Sequence, residues 1–316
     1  MNCFSRYFFI MKNIYYSISL MFLLLAAAVS ASAQDSICYA IHGGRPLYLD
    51  IHRPAQPRAD KASVVYIFGG GFYNGARNNE FSLRTAKVLS DMGFTTFCID
   101  YRLGMTDSVF AHTKLPGYLS AYDTAITWAV EDCSAAIAWI VSHASELDID
   151  PAKIILTGSS AGAITSLQTD YSRCNHLPAA RELPQGWKPA AVVSYAGAIY
   201  TRFGKIRYKE APAPTCMFHG TIDGIVSYKH YQIFRNHWGG SKYLAKQFKK
   251  HHYPHWILRF TDRGHEVATY LPATTQEYQA FTDGVLSGRL THYDATCEDE
   301  ALKQTKWSKA KLWHIY

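Results

Sequence analysis

Residues 153–164, KIILTGSSAGAI, decide how this chain folds. The apolar run predicts a buried strand, and the small residues after it predict a sharp turn into a helix. Gly158 and Gly162 flank Ser160 in a G-x-S-x-G pattern, which needs small residues because that turn is tight. The Ser160 hydroxyl is then expected to project from the sheet beside a helix N-terminus, where backbone N–H groups favour a developing anion. Ser159 is expected to point aside as a turn residue. The alternative for Ser160 is an ordinary helix cap.

Strand-like and helix-like segments alternate on both sides of this motif. Helical spacing of apolar residues predicts helices over 78–93, 118–147, around 227–250 and over 274–289. Apolar runs predict strands over 47–54, 63–71, 95–102, 153–160, 191–199, 216–223 and 256–265. This alternation favours an α/β fold with a mostly parallel central sheet and helices on both faces. Functional residues are then expected at the carboxyl ends of the strands.

The N-terminal residues 1–33 have the layout of a secretory signal peptide. Arg6 and Lys12 precede an apolar run over 18–29, and Ala31-Ser32-Ala33 gives a small-residue cleavage site. The run is shorter than the roughly 20 residues that span a bilayer, which disfavours the alternative of a stable membrane anchor. We therefore expect cleavage after Ala33, a secreted or periplasmic protein, and one catalytic domain over 34–316 whose C-terminal tail, 290–316, packs on the body. Trp307, Trp313 and Tyr316 lie in that tail.

Composition bounds the function further. The 316 residues carry a net charge of +7 without a dense basic stripe, so nucleic acid is not an expected partner. The KQFKKHH segment from Lys246 is interpreted as the solvated face of a helix rather than a polyanion site. The chain has no CxxC or HExxH motif, so neither a metal nor another cofactor is expected. A disulfide between Cys38 and Cys297 is a possibility that the sequence leaves open.

A serine nucleophile needs a base, and the base needs an acid to orient it. Asp223 is the first carboxylate at a strand end after Ser160, and His265 follows a later strand beside a glycine turn. Their order, serine then acid then histidine, matches the order in which such sites occur on doubly wound sheets. Asp262 is the rival acid, but it lies too close to His265 in sequence to reach around the ring. His219 is interpreted as a residue that braces the Asp223 loop.

The reaction also needs donors for an oxyanion, and the segment FGGGFY, residues 68–73, follows the first buried strand. Its glycines would present backbone N–H groups near Ser160, and Ala161 N–H would add another. A phosphate cradle is the alternative for this loop. The segment lacks both the Lys-Ser/Thr of a P-loop and GxGxxG spacing, which disfavours that alternative.

With these residues identified, the chain resembles serine esterases of the α/β-hydrolase fold, close to the carboxylesterase and hormone-sensitive-lipase-like group. The matching segments are FGGGFYNG, IDYRL, GSSAGA, HGTIDGIV and RGHEV. The resemblance implies a catalytic triad of Ser160, Asp223 and His265. It also implies oxyanion donors at Gly70, Gly71 and Ala161.

Two departures from that group bear on the substrate. Phe68 replaces the usual histidine before the glycines, which removes a hydrogen bond that would stiffen the loop. The short N-terminal part has no room for a large cap domain, so an open site is expected. Irregular segments 103–117, 171–189 and 199–214 are expected to overhang the carboxyl edge of the sheet and shape it. An aromatic rim is expected to contact substrate through Phe72, Tyr73, Tyr101, Tyr195 and Tyr200.

The predicted function is hydrolysis of small-molecule or carbohydrate esters through an acyl-enzyme, with short acyl groups, as in the related acetyl-xylan and feruloyl esterases. One alternative is a serine peptidase of the prolyl-oligopeptidase type, which uses the same triad. Another is a catalytically inactive binding protein on this fold.

Overall fold

Seven parallel strands form the centre and one edge of the main sheet in the computed structural model, which describes residues 35–112, 114–202, 204–298 and 308–311. The nine strands of this sheet lie in the order β1-β2-β4-β3-β5-β6-β8-β11-β12, and β2 runs antiparallel to β4. Their bounds are β1 Asp35–His42, β2 Arg45–His52, β3 Ser63–Ile67, β4 Thr95–Ile99, β5 Ile154–Ser159, β6 Ala191–Tyr195, β8 Thr215–Gly220, β11 His255–Phe260 and β12 Tyr293–Cys297. The expected mostly parallel sheet is confirmed.

The helices cover both faces of this sheet. Their bounds are α1 Glu80–Asp91, α2 Asp107–His112, α3 Leu115–Ser142, α4 Ala161–Cys174, α5 Ser241–His251 and α6 Thr275–Leu286. Neighbouring residues of β5 show the two faces, because side chains alternate along a strand. The Thr157 hydroxyl lies 2.8 Å from the Tyr278 hydroxyl of α6. A Cβ on Gly158 would instead point into the backbone of Gly162 in α4.

A second, three-stranded sheet occupies part of the region expected to be helical. Its strands are β7 Ala198–Thr201, β9 His230–Ile233 and β10 Asn236–Gly240, in the antiparallel order β7-β10-β9. The helical prediction around 227–250 is therefore wrong before Ser241 and right after it. The physical reason is that Trp238 and His237 of β10 find partners on β7, a long-range pairing that local spacing does not reveal.

The irregular segments do not all lie at the carboxyl edge, which corrects the expectation for 171–189. Trp187 Nε1 donates a hydrogen bond of 3.0 Å to the carbonyl of Pro151, just before β5 begins, so this segment lies at the amino edge. Segment 199–214 runs from β7 back to the start of β8, and it crosses to the amino edge as well. Segment 103–117 stays at the carboxyl edge, where Met105 N–H donates to the carbonyl of Phe72 at 3.0 Å.

The possible disulfide between Cys38 and Cys297 is wrong. Cys38 belongs to β1 and Cys297 to β12, which are the two outermost strands of the sheet. With strands spaced about 4.8 Å apart, eight intervals separate these edges by about 38 Å. None of the six described cysteines forms a disulfide with another described cysteine.

Some expectations lie outside the described residues. The signal peptide over 1–33 and its cleavage after Ala33 are among them, as are Trp307, Trp313 and Tyr316 of the tail. Among the described helices, α3 is long and apolar enough to cross a membrane, but 61% of its most apolar window is buried in the body. Its apolar character is that of a core helix.

Candidate active site

Ser160 lies at the junction between β5 and α4 in a backbone conformation that side chains rarely adopt. Its φ is +52° and its ψ is −116°, a strained geometry that costs about 1–3 kcal/mol. Neighbouring elements hold it: Ser160 N–H donates to the carbonyl of Tyr195 at 2.9 Å, and Ile164 N–H donates to the carbonyl of Ser160 at 2.9 Å. The strain turns the hydroxyl away from the sheet.

The two glycines around Ser160 are required by close backbone approach. A Cβ on Gly158 would lie 2.2 Å from the carbonyl oxygen of Gly162, and a Cβ on Gly162 would lie 2.0 Å from that of Ile67. Ser159 points aside, as expected, and its hydroxyl donates a hydrogen bond of 2.6 Å to the carbonyl of Ala268. Only Ser160 of the two serines is therefore available for chemistry.

Three side chains from distant parts of the sequence form one hydrogen-bonded line. The Ser160 hydroxyl lies 2.7 Å from His265 Nε2, and His265 Nδ1 lies 2.8 Å from Asp223 Oδ2. A carboxylate only accepts hydrogen bonds, so Nδ1 carries the proton and Nε2 is left to accept from the serine. Asp262, the rival acid, does not take this place; its backbone N–H donates to Thr221 Oγ1.

Asp223 is buried and fully engaged. Its Oδ1 accepts from the N–H groups of Ile225 and Val226, at 2.9 and 3.0 Å. Its Oδ2 lies near both His265 and His219, the latter at 3.3 Å. Burial alone would raise the pKa of Asp223, but the charges and hydrogen bonds of the two imidazoles outweigh it and hold that pKa well below its usual range. The carboxyl group is therefore ionised at neutral pH.

His219 braces the Asp223 loop, as the sequence indicated. Its ring is fully buried, with Nε2 3.0 Å from the carbonyl of Val226 and Nδ1 2.8 Å from the Ser241 hydroxyl. Because Nε2 faces only acceptors, it carries the proton, and Ser241 donates to Nδ1. The ring thus ties the loop after β8 to the start of α5.

The glycine loop lies against the nucleophile. A Cβ on Gly69 would be only 3.2 Å from the Cβ of Ser160, so the loop backbone and the serine are in contact. Gly70, Gly71 and Phe72 have successive positive φ values of +123°, +66° and +60°, and Gly70 O accepts from the N–H groups of Tyr73 and Asn74. Ala161, the third expected donor, is the first residue of α4, where N–H groups have no partner within the helix.

The loop has a stiffening contact in place of the missing histidine. Phe68 stacks on Tyr101 with ring centroids 4.5 Å apart, and the Tyr101 hydroxyl donates to the carbonyl of Phe68 at 2.9 Å. A Cβ on Gly75 would lie 2.7 Å from the Phe68 ring, so a glycine there lets the ring pack closely. Tyr101 therefore supports the loop from below.

The expected aromatic rim is largely wrong. Phe72, Tyr101 and Tyr195 are each about 1% exposed and Tyr200 is 2% exposed, so they belong to the core. Tyr195 stacks on Phe218 under the sheet edge. The local sequence pattern does not show whether an aromatic residue after a strand points inward or outward. Tyr73 alone of the predicted contacts reaches the surface, where its hydroxyl donates to the Asp107 carboxylate.

A different aromatic cluster lies next to the glycine loop. Phe72 meets Tyr122 edge-on at 5.8 Å, Tyr122 meets Tyr200 at 5.4 Å, and Tyr200 contacts Trp238 at 4.9 Å. Tyr122 and Trp238 are partly exposed, and Tyr231 beyond Trp238 is 53% exposed. This surface combines α3, β7, β10 and β9, so sequence reasoning missed it.

The C-terminal segment 308–311 contacts the loops of both Asp223 and His265, which the sequence also did not reveal. Glu266 is buried next to His265; its carboxylate accepts from Gly264 N–H at 2.9 Å and from the Ser308 hydroxyl. Lys311 pairs with Gly224, the residue after Asp223, in an isolated parallel β-bridge.

This arrangement can move a proton. The ionised Asp223 fixes the His265 ring in the tautomer that accepts the Ser160 proton, and it stabilises the imidazolium that results. The strained serine is thereby prepared to attack an electrophilic carbon beside the backbone N–H groups of the glycine loop and α4.

The chain is similar to known lipases and esterases over part of its length. Residues 49–199 match the family model described as BD-FAE, just under half of the chain. Lipase 2 of a Moraxella species is 30% identical over 105 residues, which are 33% of this chain and 20% of that protein. The para-nitrobenzyl esterase of Bacillus subtilis is 28% identical over 119 residues, which are 38% of this chain and 23% of that protein. The chain thus spans about a fifth of the length of the curated relatives it matches.

Solved structures show the same fold over most of the chain. Esterase 2 of Thermogutta terrifontis phosphoramylated by tabun has a TM-score of 0.57 and 21% identity, covering 82% of this chain and 97% of that one. Its propionate-bound form has a TM-score of 0.57 and 21% identity, covering 84% and 98%. These likenesses confirm the expected α/β fold class.

Proposed function

The chain has the α/β-hydrolase fold, and from that premise we propose that it is a serine carboxylic-ester hydrolase whose triad is Ser160, His265 and Asp223. One observation carries the proposal: an unbroken hydrogen-bonded line runs from the Ser160 hydroxyl through the His265 ring to the Asp223 carboxylate, with distances of 2.7 and 2.8 Å. The strained Ser160 backbone adds support, since such strain persists mainly at functional sites.

In the first half of the reaction Ser160 Oγ attacks the ester carbonyl while His265 Nε2 takes its proton. The tetrahedral intermediate carries a negative oxygen, for which Gly70, Gly71 and Ala161 N–H groups are the proposed donors. One such donor is worth about 3 kcal/mol of transition-state stabilisation. His265 then gives its proton to the leaving alkoxide oxygen, and the acyl group stays on Ser160.

In the second half a water molecule attacks the acyl-enzyme. His265 takes one proton from that water, and the new oxyanion collapses to expel Ser160 Oγ, which recovers its proton from His265. The products are a carboxylic acid and the free enzyme. Asp223 stays ionised throughout. Burial raises its pKa, but His265 and His219 lower it more, so the pKa lies well below its usual range.

The proposed substrates are short-chain acyl esters or esters linked to carbohydrate. The aromatic cluster beside the glycine loop supports an aromatic ring or a sugar near the reacting ester, because Tyr122 and Trp238 present partly exposed ring surface there. In the described residues, the segments that connect the strands of the main sheet form no large cap over the site. An uncapped site favours soluble or polymeric esters over buried lipid chains.

The activity is tested by release of p-nitrophenol from short esters and of acetate or ferulate from acylated oligosaccharides. Wild type should hydrolyse these esters and Ser160→Ala should not. A fluorophosphonate probe should label wild type at Ser160 and leave Ser160→Ala unlabelled. Equal activity of the two proteins would contradict the proposed nucleophile, whereas cleavage of peptide amides in preference to esters would favour the peptidase alternative.

We also propose that the protein is secreted or periplasmic, from the signal-like layout of residues 1–33. Expression of the full chain followed by N-terminal sequencing tests this. A mature protein that starts at Gln34 in the periplasmic or culture fraction is expected, and an uncleaved cytoplasmic protein would contradict it.

A further inference from the structure

A cavity of about 670 Å³ lies apart from the Ser160 site, between the second sheet, helix α5 and the segment before β8. Neither the proposed triad nor the glycine loop contributes to its lining. Its volume lies within the range of small-molecule binding sites.

The lining of this cavity is strongly basic. Lys205, Arg207 and Lys250 contribute permanent positive charges, and His230, His237 and His251 add three imidazoles. None of the described residues in the lining is an aspartate or a glutamate. Like charges gathered around a concave surface raise the local positive potential, which favours binding of an anion there.

Within the part of the chain that the structure describes, these cations do not pair with a carboxylate. Glu210, an acidic residue close in sequence to Arg207, pairs instead with Arg173 and His176. Among the described residues no ion pair reaches Lys205, Arg207 or Lys250. Their donors are therefore available to a ligand, and guanidinium and ammonium groups bind carboxylates through charge-assisted hydrogen bonds.

One buried imidazole, that of His237, reports the positive field inside the cavity. His237 is 5% exposed, and its Nδ1 lies 3.0 Å from Nε2 of His230. Burial, and then the positive charges of His230 and Lys205, lower the pKa of His237. An anion bound here would oppose the lowering of the His237 pKa by the charges of His230 and Lys205.

Flat ring surfaces line the same cavity. His230 stacks on Tyr243 with centroids 4.8 Å apart, and His251 stacks on Tyr253 at 5.6 Å. Tyr243 and Tyr253 are partly exposed, and Gln232 and Gln247 add amide groups. A sugar acid matches this lining. Its carboxylate suits the cations, the C–H face of its ring suits the tyrosine rings, and its hydroxyls can form hydrogen bonds with the amides.

We propose that this cavity is an accessory site that binds an acidic oligosaccharide through its carboxylates. Lys205, Arg207 and Lys250 would hold the carboxylates, and Tyr243 and Tyr253 would pack against the sugar rings. The choice of a carbohydrate rests on the proposed function, while the choice of an anion rests on the cavity itself. The KQFKKHH segment, interpreted from sequence as a solvated helix face, contributes Lys250 and His251 to the site.

Binding is measured by calorimetry on the Ser160→Ala protein, with trigalacturonate as the probe and neutral maltotriose as its comparison. Trigalacturonate contains no ester, so the result does not depend on hydrolysis at Ser160. We expect saturable binding of trigalacturonate at least tenfold tighter than that of maltotriose, weakening as salt is raised. Tripolyphosphate serves as a probe of charge without sugar.

The double variant Arg207→Gln, Lys250→Gln should weaken trigalacturonate binding about tenfold, because two charge-assisted contacts are lost. Lys246→Gln is the matched control: Lys246 is exposed on the same helix but does not line the cavity, so its removal should leave binding unchanged. Thermal unfolding of each variant verifies that it is folded.

NMR titration of His237 gives an independent readout. Its pKa should rise when trigalacturonate binds to wild type and should not move in the double variant. The proposal is overturned if trigalacturonate binds no tighter than maltotriose, or if both the double variant and the Lys246→Gln control bind it as wild type does. Tight binding of tripolyphosphate without binding of trigalacturonate would overturn the assignment to a sugar acid.

Discussion

The hydroxyl of Ser308 donates a hydrogen bond to the carboxylate of Glu266, the residue that follows His265. Both side chains are buried, with residues 1% and 2% exposed. A Cβ on Gly264 would lie 2.2 Å from the carbonyl oxygen of Ser308, so the two backbones are also in close contact. The position of the proposed catalytic base therefore depends on a segment that is distant in sequence.

Ser308→Ala should lower the free energy of unfolding by about 1–3 kcal/mol, because a buried carboxylate loses one of its two donors. Chemical denaturation measures this loss. Ser287→Ala removes the exposed hydroxyl at the end of α6 and should change stability far less. Equal stability of the two variants would show that the Glu266 contact contributes nothing.

Asp223→Asn should reduce kcat for ester hydrolysis by about 10⁴-fold, because the amide cannot hold His265 in the accepting tautomer. Steady-state kinetics with p-nitrophenyl acetate measures it. Asp262→Asn is the control, since Asp262 shares the loop of His265 without bonding to its Nδ1. A large loss of kcat in Asp262→Asn and none in Asp223→Asn would show that Asp262, and not Asp223, orients His265.

The stability of the wild type should fall with acid in part because of Asp223. Its folded pKa is lower than the unfolded value of about 3.9, so the unfolded state takes up more protons. The stabilisation is full above about pH 5 and is lost progressively as pH falls through the unfolded value toward the folded pKa. Denaturation from about pH 5 to pH 3 should therefore show a steeper decline for wild type than for Asp223→Asn. Parallel curves would contradict a lowered pKa.

Gly162→Ala should prevent correct folding or cost several kcal/mol, since its Cβ would lie 2.0 Å from a backbone oxygen of β3. Gly284→Ala, within α6, would place its Cβ 3.3 Å from the flexible end of the Leu290 side chain and 3.6 Å from the Leu290 Cα, an ordinary contact, and it should stabilise the helix by about 0.5–1 kcal/mol. Soluble yield and melting temperature distinguish the two. A well-folded Gly162→Ala protein would contradict the tight packing of β3 against α4.

Trp238→Ala should raise KM for a hydroxycinnamoyl ester about tenfold, because ring stacking of about 1 kcal/mol and the associated buried area are lost. KM for an acetyl ester of the same alcohol should change little, since an acetyl group has no ring to stack on the aromatic cluster. Equal effects on both substrates would indicate a structural role for Trp238 instead of ring recognition.

The central strands and the proposed triad could be predicted from sequence because their signals are local. A buried apolar run, two glycines around a serine, and polar residues at later strand ends each occupy a few consecutive positions. The edge strands β1 and β12 lack such apolar runs. The pairing of β10 with β7 depends on partners far along the chain, so the helix predicted around 227–250 is found only from Ser241 onward.

The substrate-facing residues were harder to predict for a related reason. Tyr101 and Tyr122 are both aromatic residues near the carboxyl edge, but Tyr101 is 1% exposed beneath Phe68 while Tyr122 is partly exposed beside Phe72. Their contacts with Phe68 and Phe72 are long-range, so the sequence does not show which of the two faces outward. Strand order is equally hidden in the sequence, and it places Cys38 and Cys297 at opposite edges of the sheet.

Synthesis runs from the N-terminus, so segment 308–311 leaves the ribosome after all nine strands of the main sheet. A nascent chain that stops before residue 308 contains all nine strands of the main sheet, but it has neither the Ser308 contact to Glu266 nor the bridge to Gly224. We therefore expect hydrolytic competence to arise last during biogenesis, after the scaffold has already formed.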